Sequence, residues 1–327
     1  MHILVTGAAG MIGAKLVAAL AARGTLAGKP IEGLTLVDVH APAMPAGLPG
    51  AALSVDLSDP AAAPALVEHR PDVIFHLAAV VSGEAEADFE KGYAVNLDGT
   101  VSLLRAVAAQ ADYRPRFVFA SSIAVFGAPV PDPIPDDFSP QPLTSYGAQK
   151  RMGELMVDDL SRRGLADGIS LRLPTICVRP GAPNAAASGF FSGILREPLV
   201  GREAVLPVED DVRHWFASPR AAVGFLLHAA EMDLAPLGPR RALNLPGVGA
   251  TVAEQIAALE RAAGPEAAAL IRRAPDETIR RIVGDWPRGF APERAEALGF
   301  RADADMDAII AAHVEDELGG RVPPRDG

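Results

Sequence analysis

Tyr146 and Lys150 stand four residues apart in the run TSYGAQK, and a helix over that run puts the phenol and the ammonium on one face. An ammonium beside a phenol favours the phenolate, and bringing a tyrosine from about 10 to near 7 takes roughly 4 kcal/mol of differential stabilisation. Such a group can take a proton from an alcohol. Near the start, TGAAGMIG places Gly7, Gly10 and Gly13 between an apolar run and a helical stretch, with Met11 and Ile12 leading into the helix. Glycine there permits a tight turn and close backbone approach, and the free amides of the helix start can receive a pyrophosphate. Asp38 closes the second apolar run at the interval of the acid that binds an adenosine ribose. Its charge repels a 2′-phosphate, and no Arg or Lys follows within several residues, so NAD is expected rather than NADP. Asp56, followed by Leu57, closes the third run, where it either meets an adenine edge or forms a turn.

Elements that alternate along the chain must position these groups. HILVTG, GLTLVDV, AALSVDL, DVIFHLA, RFVFASS and GISLRLP read as strands. Between them lie helical stretches, among them MIGAKLVAALAARG ending near Gly24, a stretch from Phe89 to Gln110, and TSYGAQKRMGELMVDDLSRRG ending near Gly164. This alternation predicts an α/β fold: a Rossmann doubly wound parallel sheet with a smaller C-terminal α/β substrate domain. Prolines at 129, 131, 133, 135, 140 and 142 make the approach to Tyr146 an irregular loop. After Pro174 the texture changes. VRPGAPNAAASGFFSGILREP reads as loop with a short helix, PRAAVGFLLHAAEM and TVAEQIAALERAAG as helices, and ALNLP between them as a strand. We therefore expect an NAD-binding domain over 1–175 and a mainly substrate-binding domain over 176–320, with a segment near 241–247 returning to the sheet and a tail over 321–327.

The chain has 327 residues and a formal net charge of -11, which argues against nucleic acid and against an anionic membrane surface as partners. The single cysteine, Cys177, forms no internal disulfide, and the apolar start breaks into glycines after a few residues, so a cytoplasmic protein with no targeting segment is expected. Seven histidines without paired ligand spacing predict no metal.

Taken together, TGAAGMIG, HLAA at His76–Ala79, NLDGT at Asn96–Thr100, FASSIAVFG and SYGAQK resemble the extended short-chain dehydrogenase/reductase family. That resemblance implies an NAD-dependent redox enzyme in which Tyr146 is the catalytic base and Lys150 its electrostatic and ribose-binding partner. It implies that Ser122 orients the substrate oxygen, that Leu77, Ala78 and Ala79 line the cofactor, and that Asn96 supports them. It also implies a homodimer built from the helices around Phe89–Gln110 and Tyr146–Gly164.

The substrate is expected to differ from that of sugar-nucleotide members. Where they continue the sixth strand as an LRxxNxYGP-like run, this chain reads LRLPTICVRPGAPN, and Phe126-Gly127 stands where Tyr-Gly is common. Arg213, in RHWFASP, and Arg179 are candidate partners for a carboxylate, with Ser82, Asn184 and Ser188 as candidate partners for hydroxyls. The runs HLAAVVSGEAEADFEKGYAVNLDGT and LRLPTICVRPGAPNAAASGFFSGILREPL are similar to a branch that oxidises a short sugar acid, a four-carbon aldonate, at C2 with NAD. A uronate dehydrogenase, a nucleotide-sugar 4-epimerase and a non-catalytic NAD-sensing regulator are the alternatives.

Overall fold

The computed structural model describes residues 1–181 and 188–323. The chain divides into two compact units: Met1–Val125 with Pro140–Leu173 and Val223–Asn244, and Phe126–Ser139 with Pro174–Ala222 and the chain from Leu245 on.

The first unit is built on seven strands: β1 (His2–Thr6), β2 (Gly33–Asp38), β3 (Gly50–Ser54), β4 (Val73–His76), β5 (Arg116–Ser122), β6 (Asp167–Leu173) and β7 (Ala242–Asn244). They form one parallel sheet in the order β7-β6-β5-β4-β1-β2-β3. The order reverses between β1 and β4, and in such sheets ligands bind beyond the carboxyl ends of the strands at that reversal. Ile3, Leu4 and Val5 on β1 and Val73, Ile74 and Phe75 on β4 are buried as continuous apolar runs, the pattern of a parallel sheet covered on both faces. Helix α1 (Met11–Arg23) stops at Gly24, whose φ of 62° no β-branched residue would readily adopt. Helices α2 (Gly99–Ala108) and α3 (Ser145–Arg162) share one apolar cluster with the sheet, joining Leu103, Leu104 and Val107 to Phe117, Phe119, Val157 and Leu160.

One feature departs from the expected elements here. The helical stretch from Phe89 is interrupted by a π-helical segment, Tyr93–Asp98, before α2 begins. Helix α3 ends at Arg162 and is closed, as expected, by Gly164, which takes the left-handed conformation at φ 73°.

In the second unit, strands Thr175–Ile176, Arg213–Ala217 and Val248–Thr251 form a small mixed sheet. Helices Gly189–Leu199, Val252–Ala263 and Met306–Glu317 supply Phe191, Ile194, Leu195, Ala258, Leu259, Ile309 and Ile310 to its core. Thr251 and Glu254 cap the second of these helices reciprocally. The Arg213–Ala217 strand and the Met306–Glu317 helix are absent from the sequence reading. The proline-rich loop holds a two-residue strand, Ile134–Pro135, paired with Phe290–Ala291.

Candidate active site

The turn from β1 into α1 is a glycine cradle. Gly7 has φ 74°, and a Cβ on it would lie 2.7 Å from the Ala78 nitrogen, so this turn lies directly against the Leu77–Ala78 backbone that leaves β4. A Cβ on Gly13 would fall 2.1 Å from the Gly7 carbonyl oxygen. The N-cap of α1 is Gly10, which gives no side-chain cap, and the first intrahelical donor is Ala14, bonded to the Gly10 carbonyl at 2.8 Å. The amides of Met11, Ile12 and Gly13 precede it and suit an anion. At the end of β2, Asp38 accepts the Ala9 N–H at 3.0 Å and the Val39 N–H at 2.8 Å, which fixes its carboxylate beside this turn. Asp56 accepts the Ser58 N–H at 2.9 Å, an Asx-type turn, and the Leu57 side chain is buried in the core. Cradle, uncapped helix start and strand-end acid together fit a dinucleotide.

Behind the cradle runs a directed chain of buried hydrogen bonds. The Thr100 hydroxyl donates to the Asn96 carbonyl at 2.8 Å, so it accepts from His76 Nε2 at 2.8 Å. His76 Nδ1 is then the acceptor for the Thr6 hydroxyl at 2.7 Å, and Thr6 in turn takes the Ala78 N–H at 3.4 Å. Burial, with the Lys150 charge adding to it, pushes the imidazole down to about 3, so His76 is neutral. Asn96 is fully buried. Its Oδ1 accepts the Val80 N–H at 2.8 Å, while Nδ2 donates to the Val80 carbonyl at 3.2 Å and to Gln149 Oε1 at 2.8 Å.

Tyr146 and Lys150 lie in the first two turns of α3. Thr144 caps this helix by accepting the Gly147 N–H at 3.0 Å. A Cβ on Gly147 would sit 2.1 Å from the Ala124 carbonyl oxygen, and one on Gly153 would sit 2.8 Å from the Phe119 ring, so both glycines let α3 press onto β5 and the turn after it. Lys150 is buried, donates to the Ala120 carbonyl at 2.9 Å, and holds its ammonium 4.9 Å from the Phe119 ring centre and 5.7 Å from that of Tyr146. Burial lowers its pKa to about 8, with Glu154 pulling the other way. Ser122 ends β5 half-buried, its Oγ accepting the Ala124 N–H at 3.1 Å. Ser121 belongs elsewhere: it donates to Glu154 at 2.6 Å, and Glu154 makes two 2.9 Å contacts with Arg172, which reaches Asn244 at 3.0 Å. That buried ion pair ties α3 to β5, β6 and β7.

Ser82 opens the short helix Ser82–Ala87 in the first unit. The remaining substrate candidates lie in the second. Arg213 is exposed at the start of its strand and donates to the Gly249 carbonyl at 2.9 Å. Arg179 is half-buried, with Nε on the Ile176 carbonyl at 3.1 Å. Ser188 is buried ahead of the Gly189–Leu199 helix, and Asn184 lies outside the described residues. Cys177 is buried and its thiol is pushed up to about 12 by burial, which suits packing rather than nucleophilic work. His214, beside Arg213, points the other way: Nδ1 donates to the Pro287 carbonyl at 2.9 Å, Nε2 accepts from Thr175 at 2.6 Å, and the ring stacks on Phe191 at 5.3 Å. Sequence reasoning passed over Gln149, Thr6, Glu154 and the supporting role of His76. The one signal available was a histidine inside the apolar run DVIFHLA.

Comparison with known proteins identifies the relatives of this arrangement. Residues 3–231 match the model of the NAD dependent epimerase/dehydratase family. The chain belongs to that family. Among curated members it is 48% identical over 323 residues to the D-erythronate dehydrogenase of Cupriavidus necator, covering 97% of this chain and 98% of that one. It is 38% identical to the D-erythronate dehydrogenase of Haemophilus influenzae, covering 97% and 100%. Among solved structures, one described as the nucleoside-diphosphate-sugar epimerase from Agrobacterium tumefaciens superposes with a TM-score of 0.97 at 59% identity, covering 99% of this chain and 96% of that one. The parallel sheet, the glycine cradle and the α3 helix are thus those of an epimerase/dehydratase family member.

Proposed function

We propose that this protein oxidises the C2 hydroxyl of D-erythronate to the 2-oxo acid, in sugar-acid catabolism, with NAD as the oxidant. The observation that carries the reading is the near full-length likeness to two D-erythronate dehydrogenases. The protein is an NAD-dependent oxidoreductase of the epimerase/dehydratase family. When bound, NAD supplies the hydride acceptor. The first unit would hold it through Gly7, Gly10, Met11, Ile12, Gly13 and Asp38, with Asp56 and Leu57 toward the adenine and Leu77, Ala78 and Ala79 lining it, and Asn96 would support that loop through Val80.

In this reading Ser122 and Tyr146 bond the C2 hydroxyl, and Tyr146 removes its proton as the hydride departs. Lys150 would sustain the phenolate and help hold the cofactor at its ribose. The second unit is assigned to substrate: Arg213, with Arg179, pairs with the carboxylate, and Asn184 and Ser188, with Ser82 of the first unit, take the hydroxyls. We also propose a cytoplasmic homodimer formed through the helices of the first unit; Phe89 and Leu155 there are 55% and 50% exposed, apolar surface that a second copy would cover.

The Agrobacterium tumefaciens protein's description as an epimerase supplies the second reading. A 4-epimerase reoxidises its own cofactor within each turnover and releases no NADH. Purified protein supplied with NAD and, separately, D-erythronate, L-threonate, galacturonate and UDP-galactose distinguishes the readings. Sustained NADH release with D-erythronate supports the aldonate assignment; silence there with conversion of UDP-galactose replaces it.

A further inference from the structure

We infer that Gln149 is a positioning residue for this oxidation, setting the loop after β4 against the catalytic helix through its hydrogen bond with Asn96. The inference rests on the assignment of Tyr146 and Lys150 to catalysis and of Leu77–Ala79 to the cofactor. Gln149 lies immediately before Lys150 and is fully buried. Its Oε1 accepts from Asn96 Nδ2 at 2.8 Å, and Asn96 holds both the N–H and the carbonyl of Val80, the residue after Ala79. Two amide side chains therefore join the cofactor loop to α3. The orientation of both amides follows from the backbone: Val80 N–H demands an acceptor, which puts Oδ1 there and leaves Nδ2 facing Gln149, whose oxygen must meet it.

The other end of Gln149 argues against a purely structural role. Its Nε2 finds no acceptor among the described residues. A Cβ on Gly92 would lie 2.8 Å from that nitrogen, so a glycine keeps room for an N–H group that gains nothing from the protein there. A buried unmet donor costs stability, while the other end of the same amide meets the buried Asn96 Nδ2, which an apolar side chain of the same length would leave without its acceptor. Asn96 itself sits in the π-helical segment, a helix irregularity frequent at functional sites. A polar group retained at a cost, one residue from Lys150 and one bond from the cofactor loop, is accounted for by geometry rather than by folding.

The test uses Gln149→Met and Gln149→Glu in the full chain, with thermal midpoint, NAD affinity by calorimetric titration, and kcat and KM for D-erythronate. Met fills the same space without an acceptor. It is expected to lower the thermal midpoint modestly, because Asn96 Nδ2 loses its acceptor, and in the folded protein to weaken NAD binding and lower kcat about five- to tenfold, with KM for D-erythronate little changed. Glu keeps an acceptor for Asn96 and is expected to return NAD affinity to within about twofold of the parent. Parental NAD affinity and kcat in the Met variant would overturn the inference. So would a Met variant that fails to fold, or a loss of NAD affinity and kcat that Glu does not relieve. A parent protein that binds no NAD would instead remove the cofactor assignment, and the parent's own titration reads that separately.

Discussion

Lowering the pH from about 7 to about 5 should destabilise the fold strongly through two buried histidines. His76 and His214 have folded-state pKa values pushed down to about 3 and about 4, against 6.5 for an unburied imidazole. In each case the main cause is burial, to which the Lys150 charge adds at His76, while the bond to the Pro287 carbonyl partly offsets it at His214. The folded values lie below the unfolded one, so under acid conditions the unfolded chain binds protons that the folded chain refuses. Stability is unaffected above about pH 6.5 and falls as the pH drops below it toward the folded values. Over the step from about pH 7 to about pH 5 each histidine costs roughly 2 kcal/mol, about 4 kcal/mol for the pair. Against a typical total of about 5–15 kcal/mol this is a large share. Urea unfolding of the parent, His76→Gln and His214→Gln at both pH values isolates the contribution, because the surface carboxylates are common to all three. Each variant should lose about 2 kcal/mol of the parent's pH dependence. Variants with the parent's full pH dependence, or imidazole NMR signals titrating near the unburied value, would refute the reasoning.

Three further outcomes concern the site. Gly13→Ala drives a methyl to 2.1 Å from the Gly7 carbonyl oxygen, so the cradle must open, and NAD affinity measured by titration should fall about tenfold or more. Asp38→Ser removes the carboxylate that disfavours a 2′-phosphate, and the NAD-over-NADP ratio of kcat/KM should drop about tenfold or more. Arg213→Ala should raise KM for D-erythronate about tenfold or more with a smaller change in kcat, and Arg213→Lys should recover part of the loss.

Much of the first unit was legible because a parallel sheet buried on both faces writes its strands as unbroken apolar runs, and because glycines mark the turns that only they can make. The glycine cradle, Asp38 and the spacing of Tyr146 and Lys150 were visible for the same reason: each is a local constraint. The π-helical segment was not, since nothing in the residue types of Tyr93–Asp98 marks a local switch from i→i−4 to i→i−5 bonding. RHWFA alternates too briefly to announce a strand and owes its pairing to Val248–Thr251, residues far along the chain. Met306–Glu317 is helical beneath a visible Asp305 cap, yet its apolar residues spread around the helix and give no clear face. Gln149 reads as an ordinary helical residue; only its burial against Asn96 and Gly92 marks it out. Arg179 shows the converse, a plausible ligand by type whose guanidinium nitrogen already serves the Ile176 carbonyl.

The measurement that bears most directly on the central claim follows NADH formation from D-erythronate deuterated at C2, in the parent and in Tyr146→Phe. Sustained NADH release, slowed by the label, with deuterium carried into the reduced cofactor, is expected in the parent, and loss of this activity is expected in Tyr146→Phe. No NADH from D-erythronate, deuterium retained in the product or lost to solvent, or a Tyr146→Phe variant as active as the parent would contradict it.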